Sequence, residues 1–242
     1  MENNFNENLK HLLNEINVDI TENQILKFHE YMDLLLEWNE KINLTAITKQ
    51  DEIILKHFVD CLTIQKYVGK NKKIVDIGTG AGFPGIPLAI MSESNNFALV
   101  DSLNKRINFL KEVKEKLGLK NVEAIHSRAE EFCQNKNYRG KFDIAVSRAV
   151  ANLSVLAEYL LPAVSLGGQV ICMKGSQIEE ELNDAKFALK ELGGKIKLID
   201  EFCLPGTDMK RNVIIIEKVK ETPKKYPRKA GTPAKQPLSK AL

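Results

Sequence analysis

The chain has 242 residues and a mass of 27.3 kDa, room for one large domain or for one with a small appendage. With 43% hydrophobic and 28% charged residues it has the composition of an ordinary soluble globule, which excludes a collagen-like or wholly disordered chain. The net charge of +3 is unevenly spread: residues 218 to 242 hold eight Lys/Arg against one acid, so a tail of +7 follows a body of −4.

Such a tail attracts polyanions by counterion release and suggests nucleic acid or an anionic membrane face, while a solvated terminus that only aids solubility satisfies the charge equally well. No apolar run reaches the roughly 18 residues of a membrane-spanning helix, and MENNFNENLKHLL at the N-terminus has neither a basic n-region nor an apolar h-region, so a cytoplasmic location is expected. Cys61, Cys133, Cys172 and Cys203 lie far apart with no CxxC pair, which predicts reduced thiols and neither a zinc knuckle nor a disulfide framework.

Residues 1 to 68 read as helices. Thr21 and Gln24 fit a capping box, and Ile25, Phe28, Met32, Leu35, Trp38 and Ile42 then recur every three or four residues as the buried face of a long helix. A second helix is expected from about Asp51 to Val68, stopping at Gly69. From Lys72 the pattern alternates. β-Branched runs at 73 to 77, 97 to 101, 122 to 126, 142 to 147, 169 to 173, 195 to 200 and 212 to 218 are mostly separated by helical stretches, which predicts a mainly parallel sheet with helices on both faces. The last two strands have only a loop between them and are expected to form an antiparallel pair at the end. From Thr222 four prolines crowd the tail, and no regular helix or strand is expected there.

The strongest chemical signal is DIGTGAGFPGIPLAI, residues 76 to 90, between the first strand and the next helix. Ligands of open α/β sheets bind at the carboxyl ends of the strands, where glycines let a cofactor approach the backbone, and Gly78, Gly80 and Gly82 suit that role. Gly80, Gly82 and Gly85 also satisfy GxGxxG, with Asp101 placed to receive a ribose, as in dinucleotide-binding folds. A pyrophosphate, however, wants free N–H groups and no nearby negative charge. Pro84 has no N–H, Phe83 is bulky, and Asp76 sets a carboxylate at the base of the loop. A cofactor with a cationic amino-acid end and no phosphate, S-adenosylmethionine, tolerates the proline and welcomes the carboxylate.

These residues give the chain its likeness. NLTAI (43 to 47), HFVDC (57 to 61), the glycine loop, LVDSLNKRINFL (99 to 110), SRAEEF (127 to 132), SRAVANL (147 to 153), MKG (173 to 175) and the tail KYPRKAGTPAKQPL (225 to 238) resemble the RsmG (glucose-inhibited division protein B) family of 16S ribosomal RNA guanine-N7 methyltransferases. Cys61 departs from the pattern, which usually has Ser there. The resemblance implies an α/β, Rossmann-like, S-adenosylmethionine-dependent methyltransferase sheet, mostly parallel with a terminal antiparallel strand. With the pattern along the chain, the expected division is a helical cap over 1–68, a methyltransferase domain over 69–219 and a basic Pro-rich tail over 220–242. Gly78 and Phe83 then line the cofactor pocket, Ala129 and Glu130 flank the adenine, and Arg148 closes the site. Gly80 and Asp101 join them by position. The implied substrate is the 530-loop guanine, position 527 in the usual RNA numbering, presented by 16S RNA or the 30S particle, with no membrane or obligate protein partner.

No general base is needed, since guanine N7 has a free lone pair, and neither an amino-methylase Asn/Asp-Pro-Pro-aromatic run nor a C5-pyrimidine-type cysteine follows the fourth strand. Arg211 and the tail residues Lys225, Arg228, Lys229 and Lys235 are the candidate RNA contacts. His57 and Asp60 share a helix face, with a structural or RNA-facing role favoured over a metal. Asn43 is first a capping residue, Trp38 and Cys172 are expected in the core, and Lys174 and Gly175 at the mouth of the site. A NAD-dependent oxidoreductase with a nonspecific tail and a noncatalytic RNA-binding assembly factor stand as alternatives.

Overall fold

The computed structural model describes residues 2–148 and 151–239. In α1 (Glu2–Glu15), Phe5, Leu9 and Leu13 are four apart and form one fully buried stripe. α2 (Glu22–Asn39) opens with the expected capping box: Gln24 N donates to Thr21 Oγ1 at 3.3 Å and Thr21 N to Gln24 Oε1 at 2.9 Å. It ends before Ile42, because Asn39 Oδ1 takes the N–H groups of Leu44 and Thr45 at 2.8 and 2.9 Å and turns the chain away. The capping role expected of Asn43 therefore falls to Asn39. Trp38 is half-buried and donates to Glu112 Oε2 at 3.1 Å. The helix expected over 51–68 is interrupted: α3 (Gln50–Ile53) runs into a π-helical stretch (Ile54–Val59), then α4 (Asp60–Leu62) and α5 (Gln65–Val68). Gly69, at φ 69°, ends it.

One sheet follows, in the order β3-β2-β1-β4-β5-β7-β6. Its strands are β1 (Lys73–Ile77), β2 (Asn96–Asp101), β3 (Val122–His126), β4 (Phe142–Arg148), β5 (Val164–Lys174), β6 (Gly194–Cys203) and β7 (Lys210–Lys218). The first five pair in parallel, and β7 is antiparallel to both β5 and β6. The last two strands thus pair as expected, but β7 inserts between β5 and β6. Residues 213 to 216 of β7 are buried on both faces, whereas Lys195, Lys197 and Glu201 of β6 are exposed, as befits an edge strand.

α6 (Gly85–Met91) and α7 (Asn104–Lys116) cover one face; α8 (Ala129–Gln134), α9 (Leu153–Leu160) and α10 (Glu179–Leu192) cover the other. Strand residues alternate between the two layers, Ile74 facing the first and Val75 and Ile77 the second. α1 and α2 share the first layer's core with α6 and α7. The tail corrects its expectation: it contains α11 (Thr232–Lys235), preceded by Gly231 at φ 80° and with Pro233 in the first turn, where a missing N–H leaves no bond unmade. Tyr226 and Leu238 are buried in the second layer.

Candidate active site

A cavity of about 910 Å³ opens where β1, β2, β4 and β5 end. Its floor is the glycine loop after β1. Gly78 N and Thr79 N donate to Val100 O (2.9 and 3.1 Å), Gly82 N and Phe83 N to Thr79 O (2.9 and 3.0 Å), Gly80 N to Asp101 Oδ2 (3.0 Å) and Gly85 N to Asp76 Oδ2 (2.9 Å). The loop's amides are thus closed on its own scaffold, and of 78 to 85 only Ala81 keeps an N–H without a protein acceptor among the described residues. No pyrophosphate cradle remains, which removes the physical basis of the dinucleotide alternative. Gly80 has a φ of 62°, and a Cβ there would meet nothing within 4 Å, so the loop backbone itself faces the open cavity.

Under the loop, Asp76 is 1% exposed and also accepts from Thr79 Oγ1 at 2.7 Å. Its Oδ1 is buried with no partner, and burial raises the carboxyl to about 7 against the pull of the Thr79 and Gly85 bonds. From above, Tyr31 of α2 donates its hydroxyl to Ala81 O, stacks on Phe58 and Phe109 and packs at a tilt against Phe83. Sequence reading passed over Tyr31, although it lies three residues after Phe28 and four before Leu35 on the same helical face.

Asp101, at the end of β2, accepts from Gly80 N, Leu103 N (2.9 Å) and Arg106 Nη1 (3.2 Å). Three of a carboxylate's roughly four acceptor sites are filled, leaving one for a hydroxyl in the cavity. Ala129 and Glu130 open α8, and the Ala129 amide has no acceptor within that helix. Glu130 is 6% exposed and takes the N–H of Gly231 on Oε1 at 2.7 Å. Burial, with the Glu130 and Glu158 carboxylates nearby, pushes the Tyr159 phenol up to about 12.

On the opposite wall, Arg148 ends β4 with its guanidinium 4.8 Å over the Phe83 ring. Nη1 donates to Lys56 O (2.9 Å) and Asp60 Oδ2 (3.2 Å), and Nη2 to His57 Nδ1 (3.1 Å). Nδ1 also lies 3.1 Å from Lys56 O, and Nε2 lies 2.9 Å from Thr45 Oγ1, so both ring nitrogens are engaged within the wall. Burial, and then the charge of Arg148, lower His57 to about 4, so the ring is neutral at neutral pH. Asp60 Oδ1 accepts from Arg211 Nε at 3.0 Å, and one buried carboxylate thereby holds two arginines at the mouth. Thr45 and Lys56, which no sequence signal singled out, line the same wall.

All seven candidate cofactor residues line this cavity, as do Arg211, Lys174 and Gly175, whereas Lys225, Arg228, Lys229 and Lys235 do not. Lys225 pairs with Glu191 at 2.9 Å, and Lys229 and Lys235 are exposed. Arg228 turns inward, where Nη2 and Nε meet Glu158 at 2.7 and 3.0 Å. Cys172 is packed, its thiol pushed up to about 12 by burial.

The sequence pattern described as rRNA small subunit methyltransferase G (GidB) matches residues 24–210. The chain belongs to this family. Ribosomal RNA small subunit methyltransferase G of Clostridium perfringens strain 13 is 53% identical over 232 residues, 95% of this chain and 97% of that one, and its namesake in Alkaliphilus metalliredigens is 48% identical over the same shares. Solved structures share the fold. An S-adenosylmethionine-dependent methyltransferase from Aquifex aeolicus superposes with a TM-score of 0.53 at 18% identity, covering 75% of this chain and 97% of that one. One from Methanosarcina mazei gives 0.52 at 17%, covering 65% and 97%. For this family member the cavity suits S-adenosylmethionine: a glycine backbone open to the ligand, with the carboxylates of Asp101 and Glu130 in its lining as hydrogen-bond acceptors.

Proposed function

We propose that this chain transfers the methyl group of S-adenosylmethionine to N7 of a guanine in 16S ribosomal RNA. The observation that carries the N7 assignment is the chemistry of the wall facing the glycine loop. Its two groups capable of taking a proton are already committed, His57 held neutral between Arg148 and Thr45, and Asp60 paired with two arginines. A wall without a free base suits an acceptor that arrives with its lone pair exposed, and guanine N7 is one.

The bound cofactor supplies a methyl carbon activated by a cationic sulfur. The chain supplies position. Gly78, Gly80 and Phe83 set the floor, Asp101 accepts from ribose hydroxyls, and Glu130 and the Ala129 amide address the adenine. Arg148, stacked on Phe83, closes the opposite side and excludes water, so that catalysis consists of in-line placement. Lys56, Arg128 and Arg211 around the cavity form a cationic rim for RNA phosphates, while Lys174 is nearly buried and paired with Glu181 at 2.6 Å.

Incubation with S-adenosylmethionine and either free 16S RNA or the 30S particle, then borohydride and aniline cleavage and nucleoside mass spectrometry, tests this. N7-methylguanine in the 530 loop is expected, with a rate at saturating cofactor that is nearly flat from about pH 6.5 to 8.5. A methyl on an exocyclic amine, a pyrimidine C5 or a ribose, or a steep rise of that rate near pH 7, would falsify the mechanism.

A further inference from the structure

The segment after β7 is built into the domain. Thr222 Oγ1 donates to Leu192 O at 2.8 Å. Arg139 gathers the carbonyls of Thr222, Pro223 and Tyr226 at 2.8, 3.1 and 2.7 Å, and Gln134 Nε2 takes that of Pro227 at 2.7 Å. Glu158, fully buried on α9, then receives both the guanidinium and the backbone N–H (2.8 Å) of Arg228, a pair that is hard to open because either partner alone would be stranded. Beyond this anchor the chain crosses the cavity. Gly231 N–H is bound to Glu130 Oε1, and Gly231 and Ala234 are part of the cavity wall.

The outer side of this strap is cationic. Lys229 and Lys235 are exposed and bracket the 231–234 stretch, tied to it by Thr232 N to Lys229 O (2.9 Å) and Lys235 N to Gly231 O (3.3 Å). A polyanion gripping both lysines would therefore hold the wall shut from outside, while Glu130, fixed from one side by Gly231, presents its remaining acceptor sites to the cofactor.

We infer that Gly231 and Ala234, in the strap that follows the Arg228 anchor, form a wall of the cofactor site, and that RNA engaging the flanking Lys229 and Lys235, which lie outside the cavity, tightens that wall, so RNA and cofactor bind with positive coupling. By linkage the effect is reciprocal: bound cofactor strengthens RNA binding by the same factor. The coupling rests on the RNA-methyltransferase reading above; the wall does not.

The test is calorimetric titration of the demethylated product, S-adenosylhomocysteine, into three proteins, each with and without deproteinised 16S RNA at one ionic strength: the full chain, a chain ending at Arg228, and Lys229→Glu/Lys235→Glu. Without RNA, the shortened chain should bind the product about 10-fold more weakly than the full chain, and the double variant should match the full chain. With RNA, affinity should rise about 5-fold or more in the full chain and stay unchanged in the other two. An RNA-free Kd in the shortened chain within twofold of the full chain overturns the wall. An RNA-insensitive Kd in the full chain, or an undiminished response in the double variant, overturns the coupling. If the shortened chain does not fold, the double variant still decides the coupling, and Ala234→Glu, which places a carboxylate on the wall without touching the Arg228 anchor, decides the wall by the same RNA-free Kd. Methyl transfer to the same RNA by the full chain, run in parallel, shows separately whether the proposed function has failed.

Discussion

Asp76 should make the folded protein less stable as pH rises from about 5 to 8. Burial raises its carboxyl to about 7, against an ordinary value of 3.8 in an unfolded chain. Between those values the native state keeps a proton that the unfolded state has released, so native binds more protons and stability falls with increasing pH. Three units correspond to a penalty of about 4 kcal/mol when fully developed, of which about 2 to 3 kcal/mol accrues from pH 5 to 8. Asp76→Asn keeps an acceptor for Thr79 Oγ1 and Gly85 N but cannot titrate, and its unpaired amide adds only a pH-independent offset. Urea unfolding of both proteins across this range isolates the effect, because every other titrating group cancels in the difference. The wild-type minus variant difference should decline through the range and level off above about pH 8. A difference flat to within about 0.5 kcal/mol would refute the claim that this carboxyl is held protonated by its surroundings.

Arg148→Ala removes the guanidinium over Phe83 and the donor to His57 Nδ1, while Asp60 keeps Arg211; kcat should fall about 10- to 100-fold with circular dichroism and melting cooperativity preserved. Arg228→Met strands Glu158 and should destabilise by about 3 kcal/mol in chemical denaturation, with Arg228→Lys intermediate; no change would mean the tail is not anchored there. Gly85→Ala would put a methyl 2.2 Å from Leu99 Cδ2 and 2.9 Å from Asp76 Oδ2, and should cost about 1 to 3 kcal/mol in the same assay.

The alternation of short β-branched runs with amphipathic stretches made the parallel core of the sheet readable, because each strand buried between helix layers needs apolar residues on both faces. The position of β7 was readable by the same logic and went unread. Val-Ile-Ile-Ile at 213 to 216 is a continuous apolar run of the kind only an interior strand requires, while Lys-Ile-Lys-Leu at 195 to 198 alternates as an edge does. The tail was misjudged for a different reason. Proline density argues against long helices, but it is silent about a four-residue turn with proline at its start, and composition cannot show that Arg228 has a buried partner 70 positions earlier in Glu158.

The site divides along the same line. The glycines of the loop after β1 and Asp101 at the end of β2 could be placed from sequence because strand ends in such a sheet converge on one crevice, whereas Phe83 and Arg148 were placed by family resemblance. The opposite wall could not be so placed, because Lys56 and His57 lie in the π-helical stretch at 54 to 59, where the wider turn changes which side chains share a face, and Asp60 follows directly on it while Thr45 comes from the loop before α3. Spacing of three on a regular helix put His57 and Asp60 side by side and left their partners unknown. What decides their role is Arg148, 91 and 88 positions away in the chain, whose guanidinium ties both to the floor of the cofactor pocket. His57 and Asp60 are therefore expected to act through Arg148, and a substitution at either to change turnover more than cofactor affinity. Asp60→Asn leaves two arginines without their shared carboxylate, so it should lower kcat about 10- to 100-fold while the Kd for S-adenosylhomocysteine moves less than about threefold. A Kd that rose in step with the loss of kcat would place Asp60 in the cofactor pocket itself and undo this division of the two walls.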